Sequence, residues 1–199
     1  MAASAKPGSN IDIQDSRILI LGANRYYLKA IEAARRMGCY VIAMDRNPNA
    51  PGLKASNEAI TEDFSNPHCL EHAAIRVRAD GLLPLNDFGV LPSAKVAESL
   101  GIPGLPVSVA KIGTDKSLMR AVWQNANVSP LWYRILQKPD PFAAAKIAEE
   151  ALSWPLIIKP VDSRGGVSRG VSQVENATEL ERALNFVTEY YPNSQIILE

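Results

Sequence analysis

The chain has 199 residues, 47% hydrophobic and 21% charged, and its 21 basic residues are balanced by 21 acidic ones. That length holds one or two domains with a real core. The neutral balance excludes the global basic field of a nucleic-acid or acidic-membrane binder, so any anion site must be local.

No apolar run approaches the roughly 20 residues of a membrane span. The opening M-A-A-S-A-K-P-G-S-N lacks the apolar stretch of a signal peptide. Cys39 and Cys69 stand at no metal or redox spacing and read as buried free thiols. A reduced, cytoplasmic setting is expected.

Residues 1–15 are small and polar with Pro7 and Gly8 among them, and a disordered tail is expected there. Ile18 to Leu21 form a buried-strand run ending at Gly22. From Asn24 onward Tyr27, Ala30, Ile31, Ala34 and Met37 recur at helical spacing, and Gly38 stops the helix. Tyr40 to Met44 is a second strand, closed by Asp45, and Ala59 to Thr61 a short third. Asn66-Pro67 opens a helix carrying Ile75 and Val77. Gly81 to Leu85 is a fourth strand. Asp87 is the expected cap of a helix running to Leu100, with Gly101 as terminator.

This alternation predicts a Rossmann-like parallel sheet covered on both faces over residues 16–107. Such sheets take ligands beyond the carboxyl ends of their strands, which singles out Gly22 to Asn24, Asp45, and Asn86 to Asp87. Gly22 followed by Asp45 hints at a dinucleotide fold. The segment G-A-N-R-Y-Y, however, lacks the second and third glycines of the fingerprint, and Tyr26 and Tyr27 would crowd a pyrophosphate. His68, Cys69 and His72 are the one metal-like cluster. Glu71 is misplaced for H-E-x-x-H, and a surface pair on an ordinary helix is the simpler reading.

Ile102 to Pro106 is a stiff linker, and connecting helices are expected over 108–130. Thr114 is read as the cap of T-D-K-S-L-M-R-A-V-W. Lys116 then sits in the first turn, where a cation opposes the helix dipole; pointing to solvent is the bland account of it. From 131 to 199 a second, α+β unit is expected. It has a strand over Trp132–Leu136, a helix started by Asp140-Pro141 and reaching about Ser153, and a strand ending in Lys159. A second strand spans Val171–Val174, a helix starts at Asn176, and a last strand covers Gln195–Leu198.

Between the strands at Lys159 and Val171 lies D-S-R-G-G-V-S-R-G. Gly165, Gly166 and Gly170 allow backbone N–H groups to face an anion. Ser163, Ser168, Arg164 and Arg169 add donors and positive charge. With Lys159 at the strand end this is a phosphate-gripping pattern suited to a nucleoside triphosphate. It is not a Walker loop, since G-x-x-x-x-G-K-S/T is absent. Nor is it a kinase glycine loop, because here the lysine precedes the glycines.

The α/β domain, T-D-K-S at 114–117, I-I-K-P at 157–160 and the glycine loop together resemble the ATP-grasp superfamily, the group of carboxylate–amine ligases and carbamoyl phosphate synthetase. The likeness runs from about Arg17 to Glu199. It implies a pre-ATP-grasp domain followed by the lid lobe of a nucleotide clamp whose second lobe lies beyond Glu199. It also implies that Lys116, Lys159 and the Ser163–Gly170 loop hold the ATP phosphates, and that Glu199 begins the adenine hinge. The implied reaction activates a carboxylate or bicarbonate as an acyl phosphate for attack by an amine.

In that family the Mg2+-binding carboxylates follow the hinge. No metal ligands are therefore expected within this chain, nor turnover by it alone. Asn24 and Asp87 are the candidate substrate residues. ATP and small carboxylate and amine substrates are the expected partners, with no nucleic acid or membrane, and the hydrophobic content allows a homo-oligomer. The other readings are a non-catalytic nucleotide-binding or scaffolding module and a nicotinamide-dependent oxidoreductase.

Overall fold

The computed structural model describes residues 13–128, 131–138, 140–150, 154–161 and 170–199. The chain falls into two compact units, dividing after Gly104.

In the first unit the order is β1 (Arg17–Leu21), α1 (Leu28–Arg36), β2 (Tyr40–Met44), α2 (Pro51–Ala55), β3 (Glu58–Ile60), α3 (Pro67–Arg76), β4 (Gly81–Pro84) and α4 (Asp87–Leu100). The sheet runs β3-β2-β1-β4 with every pair parallel. Side-chain alternation splits the central strands between two cores. Leu19, Leu21, Ile42 and Met44 pack against Leu70, Ala73 and Ala74 of α3 and Val96 of α4. Ile20, Val41 and Ala43 pack against Ile31 of α1 and Leu53 of α2. Burial on both faces is why β1 and β2 are continuous apolar runs.

The local chemistry explains most element ends. Asn66 accepts from the N–H groups of His68 and Cys69, and Pro67 follows at a position that needs no donor. Gly101 closes α4 at φ 66°. The expected cap at Asp87 is corrected by one residue. Asn86 accepts from Gly89 N at 3.1 Å, because its extended backbone lets its amide oxygen reach into the first turn, while Asp87 is already helical. α1 begins at Leu28 rather than near Asn24. The intervening residues form a turn in which Asn24 Oδ1 accepts from Tyr26 N at 2.9 Å.

The second unit comprises α5 (Val107–Thr114), α6 (Lys116–Asn125), β5 (Arg134–Leu136), α7 (Pro141–Glu149), β6 (Leu156–Pro160), β7 (Ser172–Val174), α8 (Ala177–Tyr190) and β8 (Ile196–Leu198). Its sheet is antiparallel in the order β5-β8-β6-β7. Leu156 and Ile158 of β6 and Ile196 and Leu198 of β8 share one core with Ala144 and Ala148 of α7 and Leu180, Leu184 and Val187 of α8.

Three expectations change here. Thr114 is not a cap: its hydroxyl donates back to Ala110 O at 2.9 Å and it ends α5. Asp115 caps α6 instead, accepting from Ser117 N at 2.8 Å and Leu118 N at 3.0 Å. β5 starts at Arg134, two residues later than expected, and α7 ends at Glu149. Residues 151–153, the expected end of that helix, lie outside the described residues. Among the described residues, no helix is long and apolar enough to cross a membrane.

Candidate functional site

On β6 the residues alternate in burial, Leu156, Ile158 and Pro160 being buried while Ile157 and Lys159 are half-buried. The buried set faces α7 and α8, so Lys159 stands on the opposite face of the sheet. β8 lies antiparallel beside it with Lys159 opposite Ile197. The ladder continues past β8 through Glu199 N to Ile157 O at 3.0 Å. Glu199 therefore shares a face with Lys159 as its diagonal cross-strand neighbour.

The Lys159 Nζ and Glu199 Oε1 atoms form an ion pair. The other carboxylate oxygen, Oε2, accepts from Arg120 Nε at 2.7 Å and Nη2 at 2.6 Å. The three side chains are nearly shielded, with exposures of 12% for Arg120, 17% for Lys159 and 7% for Glu199. The Arg120 guanidinium also sits 5.2 Å from the Trp123 ring centroid.

Lys116 opens the helix that carries Arg120. Its backbone N–H donates to Val161 O at 3.1 Å, and its Nζ reaches the same carbonyl at 3.4 Å. It is half-buried against the end of β6 and does not simply point to solvent. Lys116 and Arg120 are four residues apart and share a helix face. The structure thus gathers Lys116, Arg120, Lys159 and Glu199 around one end of β6 and the face beside it.

Of the glycine-loop residues, Ser163, Arg164, Gly165, Gly166, Ser168 and Arg169 lie outside the described residues. Gly170 is buried at φ +75°, and a Cβ there would meet Tyr191 Cε2 at 3.0 Å and Pro160 Cγ at 3.1 Å. Only glycine meets both conditions without strain.

In the first unit the chain leaves β1 for β2 and β3 on one side and returns to β4 on the other. The loops after β1 and β4 thus diverge at the topological switch point, where open α/β sheets bind ligands. Gly22 turns there at φ +106°, and a Cβ would meet both Asn86 Nδ2 and Tyr27 Cε2 at 2.9 Å. Asn24 is exposed on the loop after β1, and Asp87 is exposed at the first position of α4, just past the loop after β4. Asn86 is committed to capping. Asp45, the residue that would bind ribose in a dinucleotide fold, accepts instead from Ala23 N at 2.8 Å and Asn47 N at 2.9 Å. Its carboxylate ties β2 to the turn after β1.

An open groove of about 520 Å³, lined by Asp15, Glu32, Arg35, Arg36 and Tyr40 among others, lies at the amino ends of the strands. That is the end opposite the ligand loops, and its lining mixes both charges, so it does not compete with them as the candidate site.

Among the described residues, no group of three or more His, Cys, Asp or Glu side chains is arranged to hold a metal ion. His68 and His72 are exposed, Cys39 is buried and Cys69 half-buried rather than buried. Arg120 is the site residue that sequence reasoning passed over. Its signal was the four-residue spacing from Lys116.

No protein-family model matches the chain. It is similar to the formate-dependent phosphoribosylglycinamide formyltransferase of Synechococcus sp. (strain CC9311), at 29% identity over 83% of this chain and 42% of that protein. Its fold is similar to that of an L-amino acid ligase from Bacillus licheniformis (TM-score 0.70, 24% identity, 93% of this chain and 44% of that one). It is also similar to N5-carboxyaminoimidazole synthetase from Staphylococcus aureus complexed with ADP (TM-score 0.76, 16% identity, 94% of this chain and 47% of that one). The chain spans about half the length of the relatives it matches. These similarities in sequence and in fold run over most of the chain and agree with its resemblance to the ATP-grasp superfamily.

Proposed function

We propose that this chain is the nucleotide-holding part of an ATP-dependent ligase. Residues 16–107 form its pre-ATP-grasp domain, 108–130 the connecting helices, and 131–199 the lid lobe of the clamp. In the reaction a carboxylate or bicarbonate oxygen attacks the γ-phosphorus of ATP, giving an acyl phosphate and ADP. An amine then attacks the acyl carbon and phosphate leaves. The relatives named above include a formate-dependent transformylase and an amino acid ligase, and each name is consistent with such a reaction.

The observation that carries this reading is the cationic cluster at the end of β6. Lys159 and Lys116, distant in sequence, approach the same strand end, and Arg120 adds a third positive group. Fixed cations in a nearly water-free setting are the groups that bind a polyphosphate and stabilise charge moving through it. The residues Ser163, Arg164, Gly165, Gly166, Ser168, Arg169 and Gly170 complete the phosphate site, and Glu199 begins the adenine contacts. Asn24 on the loop after β1 and Asp87 at the start of α4, both beside the switch point, select the carboxylate or amine substrate. Mg2+ is bound by the nucleotide itself, and a reducing cytoplasmic compartment suits the two free thiols.

Thermal unfolding with and without ATP tests the site. A ligand at 100 times its Kd stabilises the folded form by about 2.7 kcal/mol, so ATP raises the midpoint of the wild-type chain by several degrees. Lys159→Ala loses most of that protection. Equal protection in both proteins overturns the assignment.

A further inference from the structure

We propose that Arg120 is a positioning residue for the nucleotide, acting through Glu199 on Lys159; the proposal rests on the nucleotide reading above. One carboxylate is divided between two cations. Arg120 directs two N–H groups, from Nε and Nη2, at Oε2, which leaves Oε1 to Lys159. A guanidinium holds its donors in a rigid planar fork, whereas an ammonium is a point charge on a flexible stem. Arg120 therefore sets where the carboxylate lies, and the carboxylate sets where the Lys159 ammonium lies.

The charge count gives Arg120 a second effect. Arg120, Lys159 and Glu199 together carry one net positive charge, with each side chain less than one-fifth exposed. Without Arg120, Glu199 turns both oxygens to Lys159 and cancels it. With Arg120 present the carboxylate is shared, and the cluster stays electropositive. Lys159 has three N–H donors and, among the described residues, gives one to Glu199; another can serve a phosphate oxygen. The Trp123 ring, three residues along α6, lies 5.2 Å from the guanidinium and limits its movement.

A staple with only a structural task would hold α6 to the sheet and leave affinity unchanged once the protein is folded. A double-mutant cycle on ATP affinity, measured by calorimetry on the full chain, separates the two roles. The variants are Arg120→Met, Lys159→Met and the pair. Arg120→Met is expected to weaken ATP binding about tenfold. In the Lys159→Met background the same change is expected to cost less than twofold, because the group through which it acts is gone. Arg120→Lys keeps the charge without the fork and is expected to fall between Arg120→Met and wild type. Millimolar guanidinium is expected to restore much of the affinity of Arg120→Ala.

Additive losses in the cycle overturn the proposal. So does wild-type affinity in Arg120→Met together with a lowered melting midpoint. If Arg120→Met does not fold, wild-type affinity in Arg120→Lys overturns it equally, since that variant lacks the fork. Failure of the wild-type chain to bind ATP removes the nucleotide reading itself, and this inference with it. Tight ATP binding that Lys159→Met leaves unchanged does the same.

Discussion

Glu199 Oε2 lies 2.6 Å from Arg120 Nη2, joining the last residue of the chain to a helix 79 positions earlier. With Lys159 on the other oxygen, this carboxylate bridges the two cations. Replacing Glu199 by Gln removes the counter-charge that these two nearly buried positive groups share. Breaking a buried ion pair from one side costs about 3–5 kcal/mol. Urea denaturation of Glu199→Gln is expected to show a loss of that order. A change below about 0.5 kcal/mol, the usual range for an ordinary surface site, would show the cluster to be solvated and energetically idle.

The start of α6 offers a sharper comparison of two adjacent residues. Asp115 satisfies the N–H groups of Ser117 and Leu118, whereas the Thr114 hydroxyl only returns to Ala110 O. Loss of an N-cap costs about 1 kcal/mol. Asp115→Ala is expected to lose that much and Thr114→Ala clearly less. Chemical denaturation of both variants checks the order, and the reverse order would place the cap where the sequence pattern first puts it.

How much of this was legible in the sequence depends on how far apart the interacting residues lie. β1 and β2 are visible as apolar runs because both faces of a parallel sheet are buried. Asn66-Pro67 is visible because a cap is a local interaction. α2 is not, since five residues from Pro51 to Ala55 are too few to show a helical period. The Thr114 and Asp87 caps are each off by one residue, because a capping-type side chain stands at both neighbouring positions and only the backbone angles choose. Lys159 and Lys116 stand out by motif. Arg120 does not, because its partner is brought to it only by the pairing of β6 with β8.

Gly170 tests the end of the glycine loop by a route independent of nucleotide. A non-glycine residue at φ +75° costs roughly 1–2 kcal/mol, and the added methyl must also displace Tyr191 or Pro160. Gly170→Ala is expected to destabilise the chain by about 2 kcal/mol or more. Gly113 has open space around its Cβ position and no positive φ. Gly113→Ala in α5 is accordingly expected to be neutral or stabilising, which thermal denaturation of the pair checks.

One carboxylate has a pH signature. The Ser65 hydroxyl, donating to Asp63 Oδ1 at 2.7 Å, holds the Asp63 carboxyl below its ordinary range. The Ser65 N–H and the nearby Arg46 act in the same direction, and partial burial opposes them. A folded-state pKa below the unfolded one contributes stability above the unfolded value, near 3.9, and that contribution is lost as pH falls through the folded one. The group is largely exposed, so solvent screening keeps the effect small. Carboxyl NMR is expected to show Asp63 titrating below the ordinary aspartate range, and Ser65→Ala to move it upward.

Asp45 separates the ligase reading from the oxidoreductase one. In a dinucleotide site this carboxylate is held out for a ribose hydroxyl; here it is committed to Ala23 N and Asn47 N. Ala23 is fully buried, so its N–H has no water to turn to when the acceptor is removed, at a cost of about 1–3 kcal/mol. Asp45→Ala is expected to lose that much stability. Asp45→Asn, which keeps one acceptor oxygen for the buried N–H, is expected to lose less. The wild type is expected to give no enhancement of NADH fluorescence, and neither change to alter that. Enhancement by the wild type that Asp45→Ala abolishes would return the carboxylate to a ribose, and the first unit to nicotinamide chemistry.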